Sequence, residues 1–256
     1  MNLASAAGNS TYIDCDVEEP NGRLFWKPEN LETAVVYKVQ PAFDAQKCTG
    51  CRQCVKACRF HALMYVKEKP AVFSEVCHDC GLCALVCPEA AISEEKRPVG
   101  VLETGNHNGV TVVSGILNPG EASGIPVIRQ ALKHAGGTTL LDCPPGSACS
   151  VMESIMDADY CVLVVEPTAF GFHNFRMVHE LACLLKKDCG VIINKQTAPY
   201  PPLEEYCRAH GLPVLDRIPY DPALAGSLAK NEIAAEVFPG ESRRFRAILE
   251  KIGGAQ

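Results

Sequence analysis

CTGCRQCVKAC (residues 48–58) and CHDCGLCALVC (residues 77–87) are the stretches from which the rest of the chain can be read. Each has the form C-x2-C-x2-C-x3-C, and Cys48, Cys51, Cys54 and Cys58 recur as Cys77, Cys80, Cys83 and Cys87, each 29 residues after its counterpart. Thiolates spaced this way on a tight loop can wrap three corners of a small inorganic cluster, while the fourth begins a short helix that leads away from it. Paired C-x2-C motifs also bind zinc. Two complete four-cysteine runs in an exact repeat argue for iron–sulfur clusters instead.

The spacing resembles the run found in bacterial ferredoxins, where the fourth cysteine of each run ligates the other cluster. That resemblance implies two [4Fe–4S] clusters. The first takes Cys48, Cys51, Cys54 and Cys87, and the second takes Cys77, Cys80, Cys83 and Cys58. Crossed ligation of this kind ties together a unit too small to stand on apolar burial alone. Gly50 and Gly81 fall where the backbone passes close to metal and a side chain would crowd it. Pro88 follows the second run, whereas Arg59 stands where a proline usually follows the first.

The surrounding composition supports metal ligation over disulfides. The chain has 256 residues, 15 of them cysteine, with 47% hydrophobic and 21% charged residues, which describes a globular protein able to bury its own core. The first ten residues carry neither the charged nor the apolar region of a secretory signal. Clustered cysteines in a reducing compartment read as a metal site, and the expected location is the cytoplasm. The net charge of −6 and the lack of a Lys/Arg run give no reason to expect a nucleic-acid partner. No apolar stretch approaches the length of a membrane span.

Outside the cysteine runs the chain reads as β/α units. Thr11–Asp14, Thr138–Asp142, Tyr160–Glu166, Gly190–Asn194 and Pro213–Ile218 are strand-like. Ile125–His134, Asn174–Lys187, Leu203–His210, Pro222–Lys230 and Ser242–Ile252 are helix-like, and Gly100–Leu117 is an irregular or hairpin connection. Alternation of this sort predicts an α/β fold with a parallel sheet covered on both faces. The expected division is a sheet domain of residues 1–40 and 98–256, interrupted by a cluster domain of residues 41–97. Cys161, Cys183 and Cys189 sit in apolar runs and are expected in the core.

IDCDVEEPN (13–21), SGILNPGEASGIPVIRQ (114–130), LLDCPPGSAC (140–149), VLVVEPTAFGFHNFR (162–176) and INK (193–195) together resemble the MinD/ParA-like P-loop ATPases, and within them the subfamily with an inserted two-cluster ferredoxin. The resemblance implies that Asp142 holds Mg²⁺, a hard cation suited to a carboxylate. It implies that Asp16 positions the attacking water with Asp14 beside it, that Asn194 reads the adenine edge, and that Lys195 covers the base. ATP and Mg²⁺ are the cofactors implied for the complete protein. Members of the family begin with a strand and a glycine-rich loop ending GKT, which this sequence does not contain. MNLASAA (1–7) resembles the end of the helix that follows that loop, so the expectation is that the loop lies upstream.

Three functions fit these features. The first is electron transfer coupled to a MinD-like ATPase, with a redox partner protein and a homodimer or a heterodimer with a related ATPase. The second is an iron–sulfur assembly or carrier ATPase. The third is a ferredoxin-like carrier on a catalytically inactive scaffold. Lys47, Arg52, Lys56 and Arg59 surround the first run, and Glu75, Asp79 and Glu89 the second, so the first cluster is expected to have the higher reduction potential.

Overall fold

The computed structural model describes residues 1–253. Helix α1 (Asn2–Ala7) leads into strand β1 (Ser10–Asp14), helix α2 (Gly22–Trp26) and the long strand β2 (Glu29–Phe43). The cysteine region follows, with α3 (Gln53–Ala57), the hairpin β3 (Leu63–Val66) and β4 (Lys69–Val72), and α4 (Leu82–Leu85). The chain returns along β5 (Ile92–His107) and turns into β6 (Val110–Leu117). Then come α5 (Ile125–Leu132), β7 (Thr139–Asp142), α6 (Cys149–Ile155), β8 (Tyr160–Val165), α7 (Ala169–Leu184) and β9 (Asp188–Gln196). The last elements are α8 (Pro201–Ala209), β10 (Val214–Pro219), α9 (Pro222–Ala229), α10 (Ala234–Val237) and α11 (Pro239–Gly253).

Among the described residues the main sheet runs β2-β5-β6-β1-β7, and a second runs β10-β9-β8. β1 is parallel to β6 and β7, and β9 is parallel to β8 and β10, as β/α alternation predicts. The 100–117 region is a hairpin. Asn108 (φ 47°) and Gly109 (φ 85°) supply the left-handed pair that a two-residue turn with the twist of its strands requires.

Successive side chains of a strand point to opposite faces, and this sheet is buried on both. Tyr12, Val112 and Ile192 join one core beneath α1 and α11, which spans both sheets. Their neighbours Ile13 and Val113 face α5 in a second core, and Ile193 packs with Phe175 of α7 and Leu203 of α8 in a third. Helix α7 starts five residues earlier than the apolar pattern suggests, because Thr168 caps it by accepting from the Gly171 N–H at 3.0 Å. Cys161 is buried as expected, but Cys183 is exposed: it lies on the outer face of α7, with Sγ 3.3 Å from His179 Nε2. No helix among the described residues is long and apolar enough to cross a membrane.

β2 has no counterpart in the sequence reading. It pairs antiparallel with β5 from Glu29↔Asn106 to Phe43↔Ile92, so one ribbon carries the cysteine region on its far end. Pro41 is tolerated because β2 is an edge strand, and Pro98 sits where the register shifts between Val36 and Tyr37.

Candidate functional site

At the end of that ribbon the 29-residue repeat is visible in the backbone. Gly50 and Asp79, Arg52 and Gly81, and His61 and Ala90 are equivalent positions, and all six have positive φ. At the first two positions each half uses one glycine and one larger residue, in opposite order. Gly50 has a second reason to lack a side chain, since a Cβ there would run into the Tyr65 hydroxyl. Arg52 caps α3 from the left-handed region with its guanidinium 4.4 Å from the Tyr65 ring centre, and Gly81 caps α4 in the same conformation.

Two hollows open between these turns. The first, about 380 Å³, is lined by Cys48, Cys51, Cys54 and Cys87. The second, about 500 Å³, is lined by Cys58, Cys77, Cys80 and Cys83. Each therefore takes three cysteines from one run and the fourth from the other. Apolar side chains complete the walls: Phe43 and Ala91 in the first, Val39 and Leu63 in the second, and Ile92 in both. The Ala91 N–H donates to Cys87 Sγ at 3.3 Å, and burial pushes the Cys54 and Cys83 thiols up. Phe60 and His78 stack at 3.9 Å beside the second hollow. The thiols line the walls and do not converge as ligands of a single ion would. Four sulfur donors set around an apolar hollow fit a cubane cluster, whose ligands occupy its corners.

The predicted acids gather at the carboxyl ends of β1 and β7. Asp14 and Asp142 are register partners on adjacent parallel strands. Asp14 is buried; it accepts the Gly22 N–H at 2.9 Å and the Asp16 N–H at 3.1 Å. Burial pushes its carboxyl up to about 6, with Asp142 adding to the shift and the two N–H donors opposing it. Asp16 is half-buried and likewise raised, chiefly by desolvation. Tyr12 donates its hydroxyl to Asp142 at 2.6 Å. Asn194 and Lys195 lie in β9 of the other sheet, where Lys195 pairs with Glu166 at 2.5 Å, and no hydrogen bond joins them to the acids among the described residues.

Four participants escaped the sequence reading. Tyr12 falls inside a strand-like run with no role given to it, and Gly22 is not singled out, although a Cβ at Gly22 would meet the Tyr12 hydroxyl at 2.6 Å and Asp14 Oδ2 at 2.9 Å. Lys38 and Glu121 are far apart in sequence but pair at 3.0 Å beside the second hollow, both nearly inaccessible to solvent. No local signal marks that pair.

The sequence matches the family described as 4Fe-4S dicluster domain over residues 47–92. Among solved structures, the cell division ATPase MinD of Pyrococcus furiosus is similar, with a TM-score of 0.58 at 15% identity over 100% of this chain and 91% of that one. The septum site-determining protein MinD of Pyrococcus horikoshii, complexed with Mg-ADP, gives 0.58 at 16% identity over 98% and 87%. At such identities the likeness speaks for the fold. The uncharacterized protein MJ0578 of Methanocaldococcus jannaschii is 30% identical over 200 residues, 76% of this chain and 70% of that protein. The chain belongs to the family of that protein, and in it a MinD/ParA-like ATPase fold carries an iron–sulfur ferredoxin domain.

Proposed function

We propose that the protein carries electrons through two [4Fe–4S] clusters, one in each hollow, under the control of a nucleotide-responsive sheet domain. The observation that carries this reading is the division of eight cysteines into two sets of four, with Cys58 and Cys87 exchanged between runs. A bound [4Fe–4S] cluster supplies one-electron chemistry. Cys48, Cys51, Cys54 and Cys87 hold the first, and Cys58, Cys77, Cys80 and Cys83 the second. Ile92, Leu63 and Phe43 keep water from the inner walls. In the sheet domain, Asp142, Asp14 and Asp16 are the groups for Mg²⁺ and an attacking water, and Asn194 and Lys195 those for the base of ATP. The partners are a redox protein and a second ATPase-like chain.

Coupling between the two parts is supported by the connection after β6. The Leu117 N–H donates to the Val17 carbonyl at 2.8 Å, one residue beyond Asp16. Further along, the Ala122 N–H donates to the Glu75 carbonyl at 3.1 Å, two residues before Cys77. The region of the acids and the second hollow thus share one short segment.

The test is anaerobic purification followed by iron and sulfide analysis and reductive titration. About eight iron and eight sulfide per chain, with reversible one-electron reduction, are expected. Zinc in place of iron, or transfer of the cluster to an apo-protein as the only activity, would refute electron carriage.

A further inference from the structure

Lys38 is a charged residue on the covered face of a strand. Its ammonium has three protons, and each has an acceptor: the Ser74 carbonyl at 2.9 Å, the Cys77 carbonyl at 2.9 Å and Glu121 Oε2 at 3.0 Å. The Lys38 and Glu121 side chains are only 5% and 2% exposed. Glu121 also accepts from Arg97, which reaches Glu75 at 3.3 Å. Four elements of separate origin meet here: β2, β5, the connection before α5 and the loop that delivers Cys77. Asp79 lies close by, and Arg129, His78 and Glu94 act on it together with Lys38.

Buried charges are stable only when paired and fully hydrogen-bonded, and this pair is. The cation bonds the backbone of Cys77 directly at 2.9 Å, whereas the side chain of its counter-anion Glu121 makes no hydrogen bond to that loop's backbone among the described residues. Reduction adds negative charge to a cluster, and a cation held out of water acts on it with little screening.

Resting on the electron-carrier reading above, we propose that Lys38 is the positioning residue of the second hollow. Its ammonium fixes the backbone of Cys77 and raises the reduction potential of the cluster held by Cys58, Cys77, Cys80 and Cys83. Glu121 holds the ammonium in place and tempers its charge.

The test compares the midpoint potentials of both clusters, by spectroscopically monitored titration, in the wild type, Lys38→Met, Lys38→Arg and Glu121→Gln, with iron counted in each. The second cluster is identified as the signal abolished by Cys83→Ser. Lys38→Met lowers the potential of the second cluster, Glu121→Gln raises it, Lys38→Arg keeps it near the wild-type value, and the first cluster is unmoved. If Lys38→Met fails to retain iron, the rise in Glu121→Gln and the rescue in Lys38→Arg decide. A purely structural clamp predicts shifts of one sign, or iron loss alone, in both the Met and Gln variants. That result, or equal shifts in the two clusters, overturns the proposal. A wild type without two reducible clusters instead refutes the electron-carrier reading itself.

Discussion

The two cysteine hollows are one backbone built twice, with charge handled differently around each. Around the first, Lys47, Arg52 and Lys56 are exposed, as is Glu89 on its wall. Around the second, Glu75, Asp79 and Glu94 are exposed, and one cation, Lys38, is buried and fully bonded, with the equally inaccessible Glu121 as its partner. Counting charges along the sequence makes the first hollow the more electropositive. Weighing them by solvation favours the second, because exposed charges are screened over about 8 Å at physiological ionic strength and a buried one is screened much less. One enclosed charge can outweigh several solvated ones.

The sharpest way to break this comparison is to remove a crossed ligand. Cys87→Ser is expected to lose about half of the iron, and the lost signal should be the one also lost in Cys48→Ser, although Cys87 belongs to the other run. Cys58→Ser should match Cys80→Ser in the same way. Losses that follow the runs would mean that each half closes its own cluster.

A second test asks what burial does to a carboxylate set beside other carboxylates. The carboxyl of Asp14 has a folded-state pKa of about 6 against an ordinary 3.8, so its contribution to stability is present below 3.8 and lost as pH rises through 6. Asp14→Asn is therefore expected to stabilise the protein at about pH 8, by ~1–3 kcal/mol, and to lose that advantage near pH 4. Urea unfolding at both pH values measures it, and neither cluster potential should move.

Third in size is the difference between the repeated turns. Gly81→Ala should cost about 1 kcal/mol, the strain of a left-handed non-glycine residue. Gly50→Ala should cost more, since it must also displace the Tyr65 hydroxyl. Equal urea midpoints for the two variants would show that Tyr65 yields freely.

The smallest effect expected is that of the exposed cations. Arg52→Gln combined with Lys56→Gln should lower the potential of the first cluster by less than Lys38→Met lowers that of the second, and the change should fade at high salt. A larger, salt-independent shift would restore the ranking by charge count.

Much of the sheet domain was legible because its strands are continuous apolar runs. Thr139–Asp142 and Tyr160–Val165 lie within a residue of where their patterns put them. β2 was not legible because its pattern is inverted: Leu31, Val35 and Tyr37 are about half exposed, while Lys38 is on the covered face. Cys183 misled for a related reason. Its neighbours on α7 are apolar, yet Leu184 beside it is 80% exposed, so local hydrophobicity did not report burial.

Read alone, the sequence determined the cysteine spacing, the β/α alternation and the positions of the acids at strand ends. These features depend on chemistry within one turn or one strand, where residues a few positions apart must meet. The tertiary structure decided which residues face one another across long separations. It set Asp142 beside Asp14 in register and enclosed Lys38 between Glu121 and the Cys77 loop. A buried charge is tolerated only where partners from other elements desolvate and bond it together, and no local period in the sequence records that meeting.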